Sequence, residues 1–235
     1  MSVLRRLLII AGRAVSRLLF RLTITGRDNL PAGGPLILIT NHFSIFDAPL
    51  LIFFLPYPLV FFAATEAQAN PLGKWLLRCF AAIPVWRGQP DRTALRQALA
   101  VLEQGGVFAL MPEGGVDPAL NALRERGELS LNLAGDHRSR HSAELTSPRP
   151  GAAYLAVKSG APLLPVAILG SEKIIANLRR LRRTPVEIRI GPPFGPLSVP
   201  AGVRAAARRD QLDHLSHDLM RHIARLMPPQ NRGPY

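Results

Sequence analysis

Short apolar runs alternate with amphipathic stretches along most of the chain. The runs 22–25 (LTIT), 35–40 (PLILIT), 59–64 (LVFFAA), 80–86 (FAAIPVW), 106–111 (GVFALM), 163–168 (LLPVAI) and 186–190 (VEIRI) have the length and composition of strands. Helical spacing marks 45–55, 71–78, 91–104, 151–159 and 203–227. In the last of these, Leu212, Leu215, Leu219, Ile223 and Leu226 recur every three or four positions. Strands alternating with helices predict an α/β fold: a single domain on a mixed, largely parallel central sheet of about seven strands flanked by helices.

Two apolar stretches depart from this rhythm. In 1–22, Arg5, Arg6, Arg13, Arg17 and Arg21 interrupt the apolar residues every few positions. No apolar run there reaches the ~18 residues of a spanning helix, and no small-residue cleavage site follows. The pattern predicts an N-terminal amphipathic helix lying in a membrane surface; an ordinary packed helix is the alternative. The stretch Ala48–Ala64 is nearly long enough to span, but Pro49, Pro56 and Pro58 break it. It reads as a helix to about Leu55, a turn at 56–58 and a strand, with a membrane-inserted hairpin as the alternative. The polar, weakly periodic segment 117–150 reads as a surface insertion loop. The domain map is therefore a membrane-associating helix over 1–22 and one domain over 23–235 that carries this insertion.

Charge narrows the partners. The chain has 235 residues with 29 Lys and Arg against 16 Asp and Glu, a net +13, and all but three of the basic residues are arginine. Such a surplus calls for an anionic partner. The run 177–184 (NLRRLRRT) packs Arg179, Arg180, Arg182 and Arg183 together without interleaved aromatics, and aromatic residues are only 6% overall. Base-stacking platforms are thus not expected, which favours an anionic membrane or acyl-carrier docking surface over nucleic acid; a solvated basic face is the plainer reading of that run. A lone Cys79 excludes a disulfide framework or a cysteine zinc site. Its apolar, helix-end setting predicts a buried structural cysteine. No G-x-S-x-G elbow is present, which argues against a serine hydrolase.

Candidate chemistry collects at strand ends. His42 follows the run 35–40, between Asn41 and Ser44 and five residues before Asp47. Ser44 and Asp47 have the spacing of a helix start, with Ser44 capping and Asp47 in the first turn. A carboxylate beside an imidazole also orients it as a general base. Arg87 follows the run 80–86, and Glu113 with Gly114 follows 106–111. In open α/β sheets the ligand crevice forms outside the carboxyl ends of strands, so three strands would bring His42, Arg87 and Glu113 to one rim.

The order N-H-x-S-x-x-D (41–47), I-P-V-x-R (83–87), P-E-G (112–114) and P-V-x-I (165–168) resembles the glycerolipid acyltransferase superfamily, of which the 1-acylglycerol-3-phosphate acyltransferases are members. The likeness runs from about residue 25 to 195 and includes 26–31 (GRDNLP), 70–78 (NPLGKWLLR) and 151–157 (GAAYLAV). It implies that His42 and Asp47 are catalytic, with acyl-CoA or acyl carrier protein as donor and no metal or further cofactor. It also implies that Arg87, Glu113 and Gly114 serve the acceptor phosphate, Glu113 by orienting an arginine or loop amides, with Asn41 and Ser44 in the same substrate-binding set. An acyl channel lined by Phe53, Phe54, Phe61 and Phe62 is expected.

The sequence departs from the family in two places. The third motif usually continues PEG-T-R-S, whereas here Gly115 and Val116 follow, so a hydroxyl and an arginine are missing. Arg149 resembles a basic residue often found before the next helix and would compensate; Arg124, Arg126, His137 and Arg138 of the long insertion are further candidates. The expected function is acyl transfer to a lysolipid, first 1-acylglycerol-3-phosphate, by a peripheral protein on the cytoplasmic membrane face. The alternatives are a lysolipid without the phosphatidate headgroup, such as an amino-acid lipid, and a basic membrane-binding protein that has lost catalysis.

Overall fold

The computed structural model describes residues 3–65, 71–85, 91–116, 138–140, 142–200, 202 and 204–235. Among them the apolar runs become seven strands and the amphipathic stretches seven α-helices. In chain order these are α1 (Val3–Leu19), β1 (Phe20–Thr25), β2 (Leu36–Thr40), α2 (Asp47–Phe54), β3 (Val60–Ala64), α3 (Pro71–Cys79) and β4 (Ile83–Val85). There follow α4 (Arg92–Glu103), β5 (Val107–Leu110), α5 (Pro150–Ser159), β6 (Leu163–Leu169), α6 (Ile174–Arg179), β7 (Thr184–Ile190) and α7 (Ala205–Ala224).

The strands form one sheet in the order β1-β7-β6-β2-β5-β3-β4. Every neighbouring pair is parallel except β6 with β7. This is the mixed, largely parallel sheet expected from the alternation. β2 is central and buried at all five positions, as an unbroken apolar run must be when helices cover both faces. Side chains alternate across it. Ile37 and Ile39 join Phe108 and Leu163 in a core closed by α4, α5 and α7. Leu36 and Leu38 join Val107, Leu164 and Ile188 in a second core closed by α2, with Leu8 and Ile9 of α1 packed on it.

Several expectations are corrected. The N-terminal helix stops at Leu19 rather than 22, because Phe20–Thr25 pairs in register with 184–189 as an edge strand. Backbone pairing outweighs the helical pattern of the last three residues. α1 is also tied to the domain. Arg5 Nη2 donates to the Leu59 carbonyl at 2.8 Å, and Arg13 Nε to the Phe53 carbonyl. Gly12 lies under the Phe53 ring, where a Cβ would collide with the ring. Val3, Leu4, Leu7, Ile10, Val15 and Leu18 point outward, uncovered.

The stretch 48–64 belongs to the core rather than to a membrane hairpin: Leu50, Leu51, Leu55 and Leu59 are all buried. The four phenylalanines cannot line one channel. Phe61 packs on one face of the sheet with Phe53 and Phe54, while Phe62 meets Phe108 on the other, as consecutive strand residues must. Cys79 is half-buried rather than buried. The short α6 was not foreseen, since six residues cannot establish a helical period.

Candidate active site

The site is built where β2 runs out. Asn41 continues the pairing of β2 with β6 through its side chain. Its Nδ2 donates to the Ile168 carbonyl and its Oδ1 accepts the Ile168 N–H, both at 2.8 Å. This corrects its expected place among the substrate-binding residues: Asn41 is fully buried and fastens the strand end from which His42 projects.

Asp47 opens α2, but its carboxylate turns back over the preceding loop. One oxygen, Oδ2, accepts the N–H groups of Phe43 and Ser44, each at 2.7 Å, and lies 3.0 Å from His42 Nδ1. Oδ1 is buried and unpartnered among the described residues. A carboxylate only accepts, so the neutral imidazole carries its proton on Nδ1 and presents a lone pair at Nε2. Nε2 makes no hydrogen bond among the described residues. The His42 side chain keeps 10% of its surface exposed while Asp47 keeps none.

Ser44 is not the helix cap the spacing suggested. That position falls to Phe46, with no side-chain bond. Ser44 is buried, and its Oγ lies 3.2 Å from Ser139 Oγ, so it contacts the insertion rather than a substrate. The insertion returns here: residues 44 and 139 form an antiparallel bridge, Ile45 N–H donates to the Arg138 carbonyl and Arg140 N–H to the Phe43 carbonyl.

Glu113 is reached through the turn after β5, closed by Gly114 N–H donating to the Met111 carbonyl at 3.0 Å. Its side chain has no exposed surface, so it cannot meet a substrate directly. Oε1 accepts the backbone N–H of His42 at 2.9 Å. Oε2 accepts Arg140 Nη1 at 2.5 Å, Thr146 N–H at 3.0 Å and Thr146 Oγ1 at 2.8 Å. Arg140 is itself buried and also donates to the carbonyls of Gly115, Val116 and Glu144. A buried ion pair is tolerable only when its remaining donors and acceptors are met in this way.

Gly114 adopts φ +76°, and a Cβ there would lie 2.9 Å from Arg149 Cγ. Glycine thus permits both the left-handed turn and the arginine laid across it. Arg149 precedes α5 and donates its N–H to the Pro112 carbonyl at 2.7 Å. Partial burial lowers its guanidinium pKa from the usual arginine value. Behind this segment the C-terminal tail folds in. Leu145 N–H donates to the Asn231 carbonyl, and the Tyr235 hydroxyl meets His217 Nδ1 at 2.9 Å. Tyr235 is pushed up to about 12, chiefly by burial.

The structure thus brings His42, Asp47, Glu113, Gly114 and Arg149 together. Arg87, Arg124, Arg126 and His137 lie outside the described residues. Sequence reasoning missed Arg140 and Thr146. The available signal was the third motif's missing hydroxyl and arginine: both groups reach Glu113 from the insertion, the arginine two residues beyond Arg138.

With the geometry in hand, comparison places the chain among known proteins. A protein-family model described as Acyltransferase matches residues 21–169. The chain is 25% identical over 176 residues to a 1-acyl-sn-glycerol-3-phosphate acyltransferase of Chlamydomonas reinhardtii, covering 73% of this chain and 45% of that one. It is 24% identical over 159 residues to a chloroplastic 1-acyl-sn-glycerol-3-phosphate acyltransferase of Arabidopsis thaliana, covering 66% and 38%. The chain therefore spans less than half the length of these curated relatives. The crystal structure of a 1-acyl-sn-glycerophosphate acyltransferase from Thermotoga maritima has a similar fold. Its TM-score is 0.58 at 22% identity, over 95% of this chain and 83% of that one.

Proposed function

This chain belongs to the acyltransferase family, and from that premise we propose that it moves a fatty acyl group from an acyl thioester to a lysolipid hydroxyl, with 1-acylglycerol-3-phosphate as the first acceptor. One observation carries the reading: the His42 imidazole is held through Nδ1 by a buried carboxylate, and its Nε2 is unpartnered among the described residues at the carboxyl end of the central strand.

The chemistry follows from that arrangement. His42 Nε2 takes the proton of the acceptor hydroxyl as its oxygen attacks the thioester carbonyl. The tetrahedral intermediate collapses with cleavage of the C–S bond, and the imidazolium returns the proton to the departing thiolate. A positioned general base of this kind is worth ~10²–10⁴-fold. Asp47 orients the ring and stabilises the imidazolium. The chain's own residues supply this chemistry, and acyl-CoA or acyl carrier protein enters only as a substrate.

Arg149, lying across the Gly114 turn, supplies a cation for the acceptor phosphate. A planar guanidinium can pair two phosphate oxygens. Glu113 acts behind it by holding the His42 amide and Arg140.

The acceptor is a membrane lipid, and we infer that the protein works at a cytoplasmic membrane surface. No described helix is long and apolar enough to cross a membrane. The outward row of α1, from Val3 to Leu18, supports an interfacial placement: it is apolar, uncovered and flanked by Arg6 and Arg17.

The test is acyl transfer in detergent from labelled acyl-CoA to 1-acylglycerol-3-phosphate and to phosphate-free lysolipids, with wild type beside His42→Ala. Transfer that vanishes in the variant supports the reading, and the best acceptor identifies the headgroup. Equal silence of both proteins with acyl-CoA and acyl carrier protein donors would overturn it.

A further inference from the structure

β1 is an edge strand, and beside it lies an open cleft of about 480 Å³. Arg17, Arg21, Arg27 and Arg183 line it together with Phe20 and Phe54. No aspartate or glutamate is among its lining residues. Arg183 is fixed in place, its Nη2 donating to the carbonyls of Arg17 at 2.6 Å and Phe20 at 2.8 Å. The side chains of Arg17, Arg21 and Arg27 have no carboxylate or carbonyl partner among the described residues. Four arginines and no acidic residue line one cleft, which favours an anion there, and arginine forks suit phosphate oxygens.

Residues next in the chain to two of the lining arginines indicate which kind of phosphate compound fits. Leu181, two residues before Arg183, is 97% exposed and held at φ +52°. Leucine rarely adopts that backbone region, and here its apolar side chain has nothing covering it. Leu18, one residue after Arg17, is 73% exposed. A soluble phosphate compound has no use for exposed leucines beside its site, whereas a phospholipid in a bilayer brings headgroup and acyl layer together.

We propose that this cleft holds the phosphate-bearing headgroup of an anionic glycerophospholipid in the membrane, with Leu181 and the outer row of α1 immersed in its acyl layer. The proposal rests on the membrane-surface reading above and names the lipid class it engages. The site is distinct from that of the reacting acceptor, because β1 lies three strands from β2, roughly 14 Å at ~4.8 Å per strand. It nonetheless borders the catalytic loop, since the Phe20 ring packs edge-on against Phe46 at 6.2 Å.

The experiment measures partitioning of the full chain onto phosphatidylcholine vesicles with and without phosphatidylglycerol. Arg17, Arg21 and Arg27 are exposed, so R17S/R21S/R27S keeps the fold, as circular dichroism checks. Each arginine is worth about fivefold in binding, corresponding to ~1 kcal/mol. The triple variant should therefore lose on the order of 100-fold on phosphatidylglycerol vesicles and little on phosphatidylcholine alone. R204S/R208S/R209S removes the same charge from exposed positions flanking and opening α7 and should lose less than tenfold. Equal losses in the two triples would mean bulk charge alone and would overturn the site. So would an unchanged R17S/R21S/R27S, or release of wild type by free glycerol phosphate at matched phosphate concentration. Acyl transfer in detergent separates the two readings. Wild type that is inactive there but still selects phosphatidylglycerol vesicles refutes the enzyme and not the cleft.

Discussion

The backbone N–H of His42 and the carboxylate of Glu113, 71 residues apart in the chain, meet at 2.9 Å. The carboxylate's other oxygen holds Arg140 and Thr146. Through this one buried group, the loop that carries His42 is joined to the turn after β5 and to the returning end of the insertion.

Arg140→Ala leaves the Glu113 carboxylate buried without its cation. Breaking such a pair typically costs ~3–5 kcal/mol, and a loss of that size is expected in urea unfolding. Arg140→Lys should recover only part of it, because one ammonium cannot reach Glu113 and the carbonyls of Gly115, Val116 and Glu144 together. An unchanged midpoint for Arg140→Ala would mean that the pair is not formed in solution.

In Asp47→Asn the amide oxygen takes the place of Oδ2, which alone faces the loop amides and His42 Nδ1, so the ring keeps its partner but loses the negative charge that stabilises its protonated form. Turnover should fall by roughly 10²–10⁴-fold, with KM for the lysolipid little changed and the circular dichroism spectrum intact. A KM effect without loss of kcat would move Asp47 out of the catalytic pair.

Gly114→Ala forces a Cβ into a left-handed residue and against Arg149. It should destabilise the protein by roughly 1–2 kcal/mol and raise KM for a phosphorylated acceptor more than it lowers kcat. Gly151→Ala, in the first turn of α5 where a Cβ meets nothing within 4 Å, should be neutral or slightly stabilising. Matching KM values for the two variants would show that Arg149 does not serve the headgroup.

Tyr235 stays protonated up to about pH 12 in the folded chain, against an ordinary value of 10.0, mainly because it is buried. Its folded-state pKa is raised. The stability it contributes is therefore complete below pH 10 and lost as the pH rises towards 12. Phenolate absorbance should show a late component that Tyr235→Phe removes, and the variant should be less sensitive to unfolding across that window. Complete tyrosine ionisation near pH 10 in the native protein would contradict the packing of Tyr235 against His217.

The fold was legible because alternation of short apolar runs with helical stretches is a local property, written in neighbouring residues. Residues 42–47 were legible for the same reason: His42 and Asp47 sit within one loop and their spacing is short. Arg140 and Thr146 were not, because they reach Glu113 from 27 and 33 residues away, across a polar segment without periodicity. Asn41 and Ser44 looked available for substrate because sequence does not reveal which polar side chains are consumed by neighbouring backbone. Phe61 and Phe62 were grouped by composition, although their adjacency on a strand sends them to opposite faces.

Gly12 under the Phe53 ring, with Arg5 and Arg13 reaching carbonyls of the 53–59 segment, makes α1 a rigid outrigger rather than a detachable tail. Its tilt is passed directly to α2, whose first residue is Asp47. In the membrane-bound state proposed above, the angle at which α1 settles would therefore set the angle at which the His42 rim faces the surface. Trimming α1 away would also uncover Phe53 and leave the Leu59 carbonyl without its donor, so a truncated protein would report a damaged core as well as a lost contact. Polar replacements along Leu4, Leu7 and Leu18 change the outer face and leave that mounting in place.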